Sequence, residues 1–575
     1  MVSGTTFHIY ELAAQGARGK SVMGIRFGKG LAALSAAALA STLVITGGTA
    51  VSSSAGAVAL RSPVPKAAPA VSLARSNATV SNVCSGTPTA GGSLTVAVQN
   101  ETLSLDPYNT PGGFGDGEAQ SLIYQGLVRL DPTGKTRNVV PAIADQWKIS
   151  SNGKSYTFHI RSGITFSNGQ AITAADVKSA LDDWANPKTD QYASSFSQGY
   201  LSTTVLSDSE VRVDLSQPVS AFLYYLAMPP AEIYPAALAT AQGTAFWNNP
   251  VGSGPFILQS WKKGVSMTFA KNPKYWQPGH PLLNSVVFNF VTADNTRLLD
   301  LEAGQAQVID SVPFDQVSSL GSYKNLVVTA YKIPSWILMP INNKKPPFNN
   351  IYVRQALSYA IDRSAINQKV YAGLATVPNS VLPQLQYDAP DSKVPADTYN
   401  LAKAKQLMKM AGESKGFSAT FEYASGNPEL ASVALVLQQE LGQIGIKLTL
   451  RAEDQATLSK DFTGGTYDLE IPYALAVSDV VVPQEFGSLF ALPSASHGFY
   501  TWWSDPTIAA MVRKLDSGAV APAVIWPQIQ AAMQAQQPSL NVLDLPYLEA
   551  AKSNVCANYL TPIGYESLLD TWLAK

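Results

Sequence analysis

The sequence predicts an α/β protein folded into two or three lobes, and three observations carry that prediction. The chain has 575 residues and a mass of 61.1 kDa, more than one hydrophobic core ordinarily supports. Hydrophobic residues make up 46% of it and charged residues only 14%, the balance of a globular chain and not of a disordered one. Stretches with the two-residue apolar period of half-buried strands are interleaved with stretches of helical period.

The chain opens with an expected export signal over residues 1–50. Arg18, Lys20, Arg26 and Lys29 precede an apolar run from Leu31 to Thr46, and small-residue cleavage candidates follow in GGTAVSSSAGAVA. Met23 offers an alternative start with a shorter basic lead-in. The run is short and alanine-rich for a membrane span, so cleavage is expected in place of a retained anchor. Removing residues 1–50 takes away four Lys/Arg and one Glu, which leaves 36 basic against 40 acidic side chains. No basic stripe marks a nucleic-acid surface. Residues 51–83, rich in Ala, Ser, Val and Pro, read as a flexible tether.

Folded structure is expected from GGSLTVAVQNETLSLDP (91–107), a strand followed by a turn at Asp106-Pro107. In residues 154–187, Tyr156, Phe158 and Ile160 alternate with polar residues as a strand does. Ser162-Gly163 and Asn168-Gly169 then mark turns, and Thr173 with Asp176 forms a capping-box pattern opening a helix that runs to Asn186-Pro187. Residues 248–276 read as a Gly/Pro loop feeding two strands, 285–291 as a strand, and 295–310 as helix, glycine stop and strand. In the second half, 353–373 contains two helical pieces with Ser364 expected to cap the second, 401–412 is a helix ending at glycine, and 428–454 a helix running into a strand.

Catalytic signatures are thin. No G-x-S-x-G occurs, since VGSGP at 251–255 lacks the first glycine. The histidines, His8, His159, His280 and His497, are scattered and suggest no metal set, so neither cofactor nor metal is expected. A carboxylate pair for glycoside hydrolysis has no motif to mark it. The two cysteines, Cys84 and Cys556, both follow the signal and neither is placed for lipid modification. In an oxidising compartment they suggest one disulfide, with two unpaired thiols as the alternative.

Taken in order, GGSLTVAV followed by LDP, VVPAIADQWKISSNGKSYTFHIRSGITFSNGQAITAADVKSAL, NNPVGSGPFILQSW, KNPKYW, LEAGQAQVID and NNKKPPFNNIYVRQALSYAIDRSAI resemble the large extracytoplasmic solute-binding proteins of ABC importers. The branch is family 5, that of the oligopeptide-, dipeptide- and nickel-binding proteins, and the likeness spans nearly the whole mature chain. It implies a two-lobe periplasmic-binding-protein fold of the large three-subdomain type with an inter-lobe ligand cleft. The first lobe would hold 84–126, 246–330 and 536–575, with 127–245 as its extra subdomain, and the second lobe would be 331–535. Both chain ends then fall in one lobe, which favours a Cys84–Cys556 bridge. The resemblance gives scaffold roles to Pro141, Gly153, Gly163, Gly169, Gly252, Gly254, Trp147 and Trp276.

The resemblance also supplies site candidates. In peptide-binding members an Asp four residues before a Pro pairs with the ligand's α-ammonium group, and the match here is Asp479 with Pro483. A carboxylate on a closing, water-poor face can anchor a cation by charge-assisted hydrogen bonds. Val480, Val481 and Val482 stand where such proteins often carry aromatic or polar residues, and a structural cap or ion pair is the other reading of Asp479. Trp336, Trp502, Trp503 and Phe114 are candidate cleft walls, each weighed against an ordinary core role; in a strand the adjacent Trp502 and Trp503 would face opposite sides. The expected function is a monomeric, exported receptor, in the periplasm or at the outer face of the cytoplasmic membrane, that hands a small solute to ABC permease subunits. A peptide or other amine-bearing solute leads, with oligosaccharides and nickel chelates as alternatives, and a sensor or a secreted hydrolase as other classes.

Overall fold

Placement of the chain comes from a computed structural model that describes Cys84 and residues 86–109, 113–188, Ser194, 196–197, 199–383, Val394, 397–473, 476–477, 481–492 and 500–575. The readings of 1–50 as a signal and 51–83 as a tether fall outside these residues, as do Asp479, His8 and His497.

The strand Ser93–Val98 lies inside a seven-stranded sheet and buries Leu94, Val96, Ala97 and Val98. It pairs in parallel with Ser285–Phe290 on one side and Val308–Ile309 on the other, in register Val96 to Phe288 and to Val308. Near-continuous apolar runs are what a strand covered on both faces requires. The full order across the sheet is Leu326–Tyr331, Tyr547–Lys552, Val308–Ile309, Ser93–Val98, Ser285–Phe290, Ser266–Lys271 and Phe256–Lys262. The helix Asp294–Ala303 ends where predicted, at Gly304 with φ 77, and Leu301 packs with Ala97 and Ile309.

Residues 144–215 form a separate antiparallel sheet in the order Ala144–Ile149, Ser155–Ile160, Glu210–Leu215, Tyr200–Ser207. Tyr156, Phe158 and Ile160 make its buried face, as their alternation predicts. The helix Ala174–Trp184 covers it through Val177, Ala180, Leu181 and Trp184. Its capping box is formed: the Asp176 N–H donates to Thr173 Oγ1 at 3.3 Å, and the Thr173 N–H donates to the Asp176 carboxylate at 3.0 Å.

Two further sheets organise the second half. Ile446–Glu453, Phe417–Ala424 and Leu469–Ile471 run parallel and are packed by the helix Pro428–Gly442. Ser335–Pro340, buried throughout, pairs with Ala476–Val477 and Ser539–Asp544. One expectation is corrected here: the helix Arg363–Val370 is capped by Asp362, whose carboxylate accepts from the Ala365 N–H at 2.9 Å, and not by Ser364. Asp362 holds the non-helical entry position, and Ser364 already lies inside the first turn.

Short links at 332–334 and 545–546 join the seven-stranded sheet to the second-half sheet. They are tied together, Ser335 Oγ donating to the Leu545 carbonyl at 2.6 Å and the Leu545 N–H to the Ser335 carbonyl at 3.0 Å. The Cys84–Cys556 disulfide is present, with Cα atoms 5.4 Å apart, and fastens the start of the described chain to the strand Val555–Cys556. Gly252 shows why its loop needs glycine, because a Cβ there would overlap the Ile123 carbonyl. No helix among the described residues is long and apolar enough to cross a membrane.

Candidate functional site

Phe114 is the first residue of the helix Phe114–Ile123, which opens out of the glycine-rich loop after the first strand. Its half-buried ring stands 5.8 Å from Tyr547 and, edge to face, 5.0 Å from Tyr565. Phe114 and Val477 both pack against the group formed by Tyr331, Ile333, Tyr547 and Leu560. Val481 joins a neighbouring group with Leu130 and Ile563, against which Tyr565 also packs. The described residues on either side of 478–480 thus pack with two groups that meet through the Phe114–Tyr565 ring contact.

Val481 is fully buried with φ 54, a left-handed conformation that a β-branched residue adopts only when its surroundings enforce it. One enforcing contact is visible. Arg137, 4% exposed and distant in sequence, donates to the Val481 carbonyl. Pro483 then starts the helix Pro483–Ala491, where its missing N–H is harmless. Gln484 Nε2 donates to Ser220 Oγ at 2.8 Å, and the Ser220 N–H donates to the Asp516 carbonyl at 2.9 Å. Residues 127–245 and 331–535 therefore meet through directed hydrogen bonds as well as apolar contact.

The aromatic candidates separate. Trp336 is 4% exposed, edge-on to Phe486 at 5.4 Å, and its indole N–H has no hydrogen-bond partner among the described residues. Trp503, 8% exposed, shares that cluster. Neither Trp502 nor Trp503 lies in a strand. Trp502 is half-buried with φ 61, and the Lys344 ammonium sits 4.3 Å from the centre of its ring. Of the scaffold tryptophans, Trp276 is half-buried, donates to Gln125 Oε1 at 3.0 Å and carries the Arg161 guanidinium 3.9 Å over its ring.

Sequence reasoning missed the acids behind the wall. Tyr547 donates to Asp310 Oδ2 at 3.3 Å, and Arg297 Nε lies 3.7 Å from Asp310 Oδ1. Burial raises the Asp310 carboxyl to about 6, with the Arg297 charge opposing. Glu549, 1% exposed, accepts from Asn558 Nδ2 at 3.1 Å on both oxygens. Burial also drives Glu549 and Glu566 upward; the pair shares a hydrogen bond and so favours holding a proton. The signal available was a lone acid in each of two apolar strand runs, QVID and LPYLEAA. No group of three or more His, Cys, Asp or Glu among the described residues is placed to hold a metal ion.

Residues 138–493 match the model of the bacterial extracellular solute-binding proteins, family 5 Middle. The chain belongs to this family. It is 35% identical to the glutathione-binding protein GsiB of Salmonella typhi over 373 residues, 64% of this chain and 71% of that one. Among solved structures it resembles the periplasmic binding protein DppA of Helicobacter pylori, in complex with the peptide STSA, at a TM-score of 0.74 and 24% identity, covering 85% of this chain and 99% of that one. NikA of Brucella suis, in complex with Fe(III)-EDTA, gives a TM-score of 0.73 at 20% identity, covering 83% and 98%. The two-lobe periplasmic-binding-protein fold is therefore the fold of this family 5 protein, and its role is solute binding. Relatives of this kind are solute-binding proteins and not enzymes, and they imply an exported chain.

Proposed function

We propose that this family 5 protein captures short peptides between its lobes and delivers them to ABC permease subunits at the outer face of the cytoplasmic membrane. The observation that carries the reading is the packing of the described residues that flank Asp479 in sequence. In sequence Val477 and Val481 flank it; Val477 packs with the group of Tyr331, Ile333, Tyr547 and Leu560, and Val481 with Leu130 and Ile563, against which Tyr565 lies. A carboxylate is suited to a ligand's α-ammonium group, with the peptide backbone extended along the cleft. A glutathione-binding relative and the peptide-bound DppA neighbour agree with a peptide-sized ligand. An oligosaccharide needs open aromatic faces for stacking, and Trp336 and Trp503 are 4% and 8% exposed, which weighs against it. Ligand-driven closure would create the surface that the permease recognises.

The test is mass spectrometry, under denaturing conditions, of what co-purifies with natively folded protein. A ladder of short peptides that is depleted in Asp479→Ala supports the reading. A saccharide or metal chelate retained equally by that variant overturns it.

A further inference from the structure

We propose that the first half of the chain binds a doubly charged phosphate group at a cluster of hydrogen-bond donors built by Gln125, Arg129, Arg161, Tyr275 and Trp276. None of these five side chains belongs to the groups that pack around Val477 and Val481, so the site is independent of the peptide reading.

The cluster is organised around one indole. The Arg161 guanidinium lies 3.9 Å from the centre of the Trp276 ring, and that of Arg129 lies 5.8 Å from it. Trp276 Nε1 donates to Gln125 Oε1 and so occupies the one side-chain carbonyl of the five. Gln125 Nε2 and Arg129 Nη1 then both donate to the Tyr275 hydroxyl, each at 3.2 Å. Two accepted bonds fill the lone pairs of that oxygen. Tyr275, 8% exposed, is left with an O–H proton that meets no acceptor among the described residues. Arg129 Nε is likewise buried without a partner among them. Arg161 donates through Nε to the Ala142 carbonyl at 3.4 Å, and its two terminal nitrogens make no hydrogen bond to the described residues. The unmet groups of the cluster are donors, and a buried donor without an acceptor is costly.

Charge narrows the ligand further. The two guanidiniums share one ring, and no described carboxylate forms an ion pair with either. Asp131, two residues from Arg129, is taken up by Thr133 and Thr136. Burial alone raises the Glu232 carboxyl, so no cation acts on it. Exposed Lys274 lies against Gly169, in the loop that follows Arg161, and adds to the positive field. A carboxylate ligand would offset one of the two guanidinium charges. A phosphate monoester, which carries about −1.5 to −2 at pH 7, offsets both and presents oxygens to two planar forks. Arg129, Arg161 and Trp276 are each half-buried, which leaves the cluster accessible from solvent.

The experiment is calorimetric titration of the natively folded protein, at pH 8 and low salt, with inorganic phosphate, glycerol 1-phosphate, dimethyl phosphate and acetate. Inorganic phosphate or glycerol 1-phosphate should bind with one-to-one stoichiometry, and the tighter of the two tells free phosphate from a phosphate monoester as the source. The singly charged dimethyl phosphate and acetate should bind at least tenfold more weakly. Arg129→Gln, and Arg161→Gln, which keeps a planar polar group on the indole, should each weaken phosphate at least tenfold. A second measurement needs no variant: in the native chain, excess phosphate should protect Arg129 and Arg161 from phenylglyoxal, read by mass mapping. Acetate or dimethyl phosphate binding as tightly as phosphate, undiminished phosphate affinity in both variants, or equal labelling of the two arginines with and without phosphate would each overturn the proposal.

Discussion

Replacing Glu470 by glutamine is expected to stabilise the protein, by an amount that grows with pH. Glu470 sits in Leu469–Ile471, is 0% exposed, and neither carboxyl oxygen has a hydrogen-bond partner among the described residues. Its cross-strand neighbour in the parallel ladder is Glu422, 4% exposed, whose Oε1 lies 3.4 Å from the Arg451 guanidinium. Asp461 adds a further like charge nearby. Burial first, and Glu422 second, raise the Glu470 carboxyl from 4.5 to about 9. The folded chain then holds a proton that the unfolded chain releases between those values, so stability falls as pH rises through the window. At pH 7 the unfolded state has gained about two and a half pH units of ionisation, which at about 1.4 kcal/mol each comes to about 3 kcal/mol. Glutamine removes that gain because it ionises in neither state. Urea denaturation of both proteins at pH 5, 7 and 8.5 measures it. The curves should nearly coincide at pH 5, differ by about 3 kcal/mol at pH 7 and diverge further above. A difference that does not change with pH, or a native protein more stable at pH 8.5 than at pH 6, would show that the carboxyl is ionised in the fold.

Two other outcomes follow from the geometry. Arg137→Ala removes the buried donor to the Val481 carbonyl and should weaken solute binding about tenfold, because a hydrogen bond from a charged group contributes about 1.5–3 kcal/mol; unchanged affinity by calorimetry would mean that the contact does not hold the loop. Cys84→Ser opens a bridge between residues 472 apart and should cost about 6 kcal/mol of stability in the chain-entropy description; a loss below about 1 kcal/mol in denaturant titration would contradict that.

What the sequence revealed follows the range over which each feature is specified. The Thr173–Asp176 box and the Gly304 stop are local, set within a few residues, and were readable. The cap at Arg363–Val370 shows the limit: Asp362 and Ser364 are both good capping residues, and only the backbone entry angle chooses between them. The order of family motifs was enough for the two-lobe fold. The site was readable only in part. Phe114 was picked from its glycine-rich loop, but Tyr547 and Tyr565, which it touches, come from the far end of the chain. Arg137 was equally invisible, since its partner lies 344 residues away. A tryptophan's pattern does not say whether it faces a cleft or a core, and Trp336 turned out to lie against Phe486.

The most direct measurement of peptide capture through Asp479 is calorimetric titration of the mature protein with one tripeptide in two forms, its amino terminus free or acetylated. Binding of the free form, with at least about a hundredfold loss on acetylation and the same loss for the free form in Asp479→Ala, is the predicted result. Equal affinity for the two forms, or loss on acetylation that persists unchanged in Asp479→Ala, would contradict an ammonium anchor at that residue.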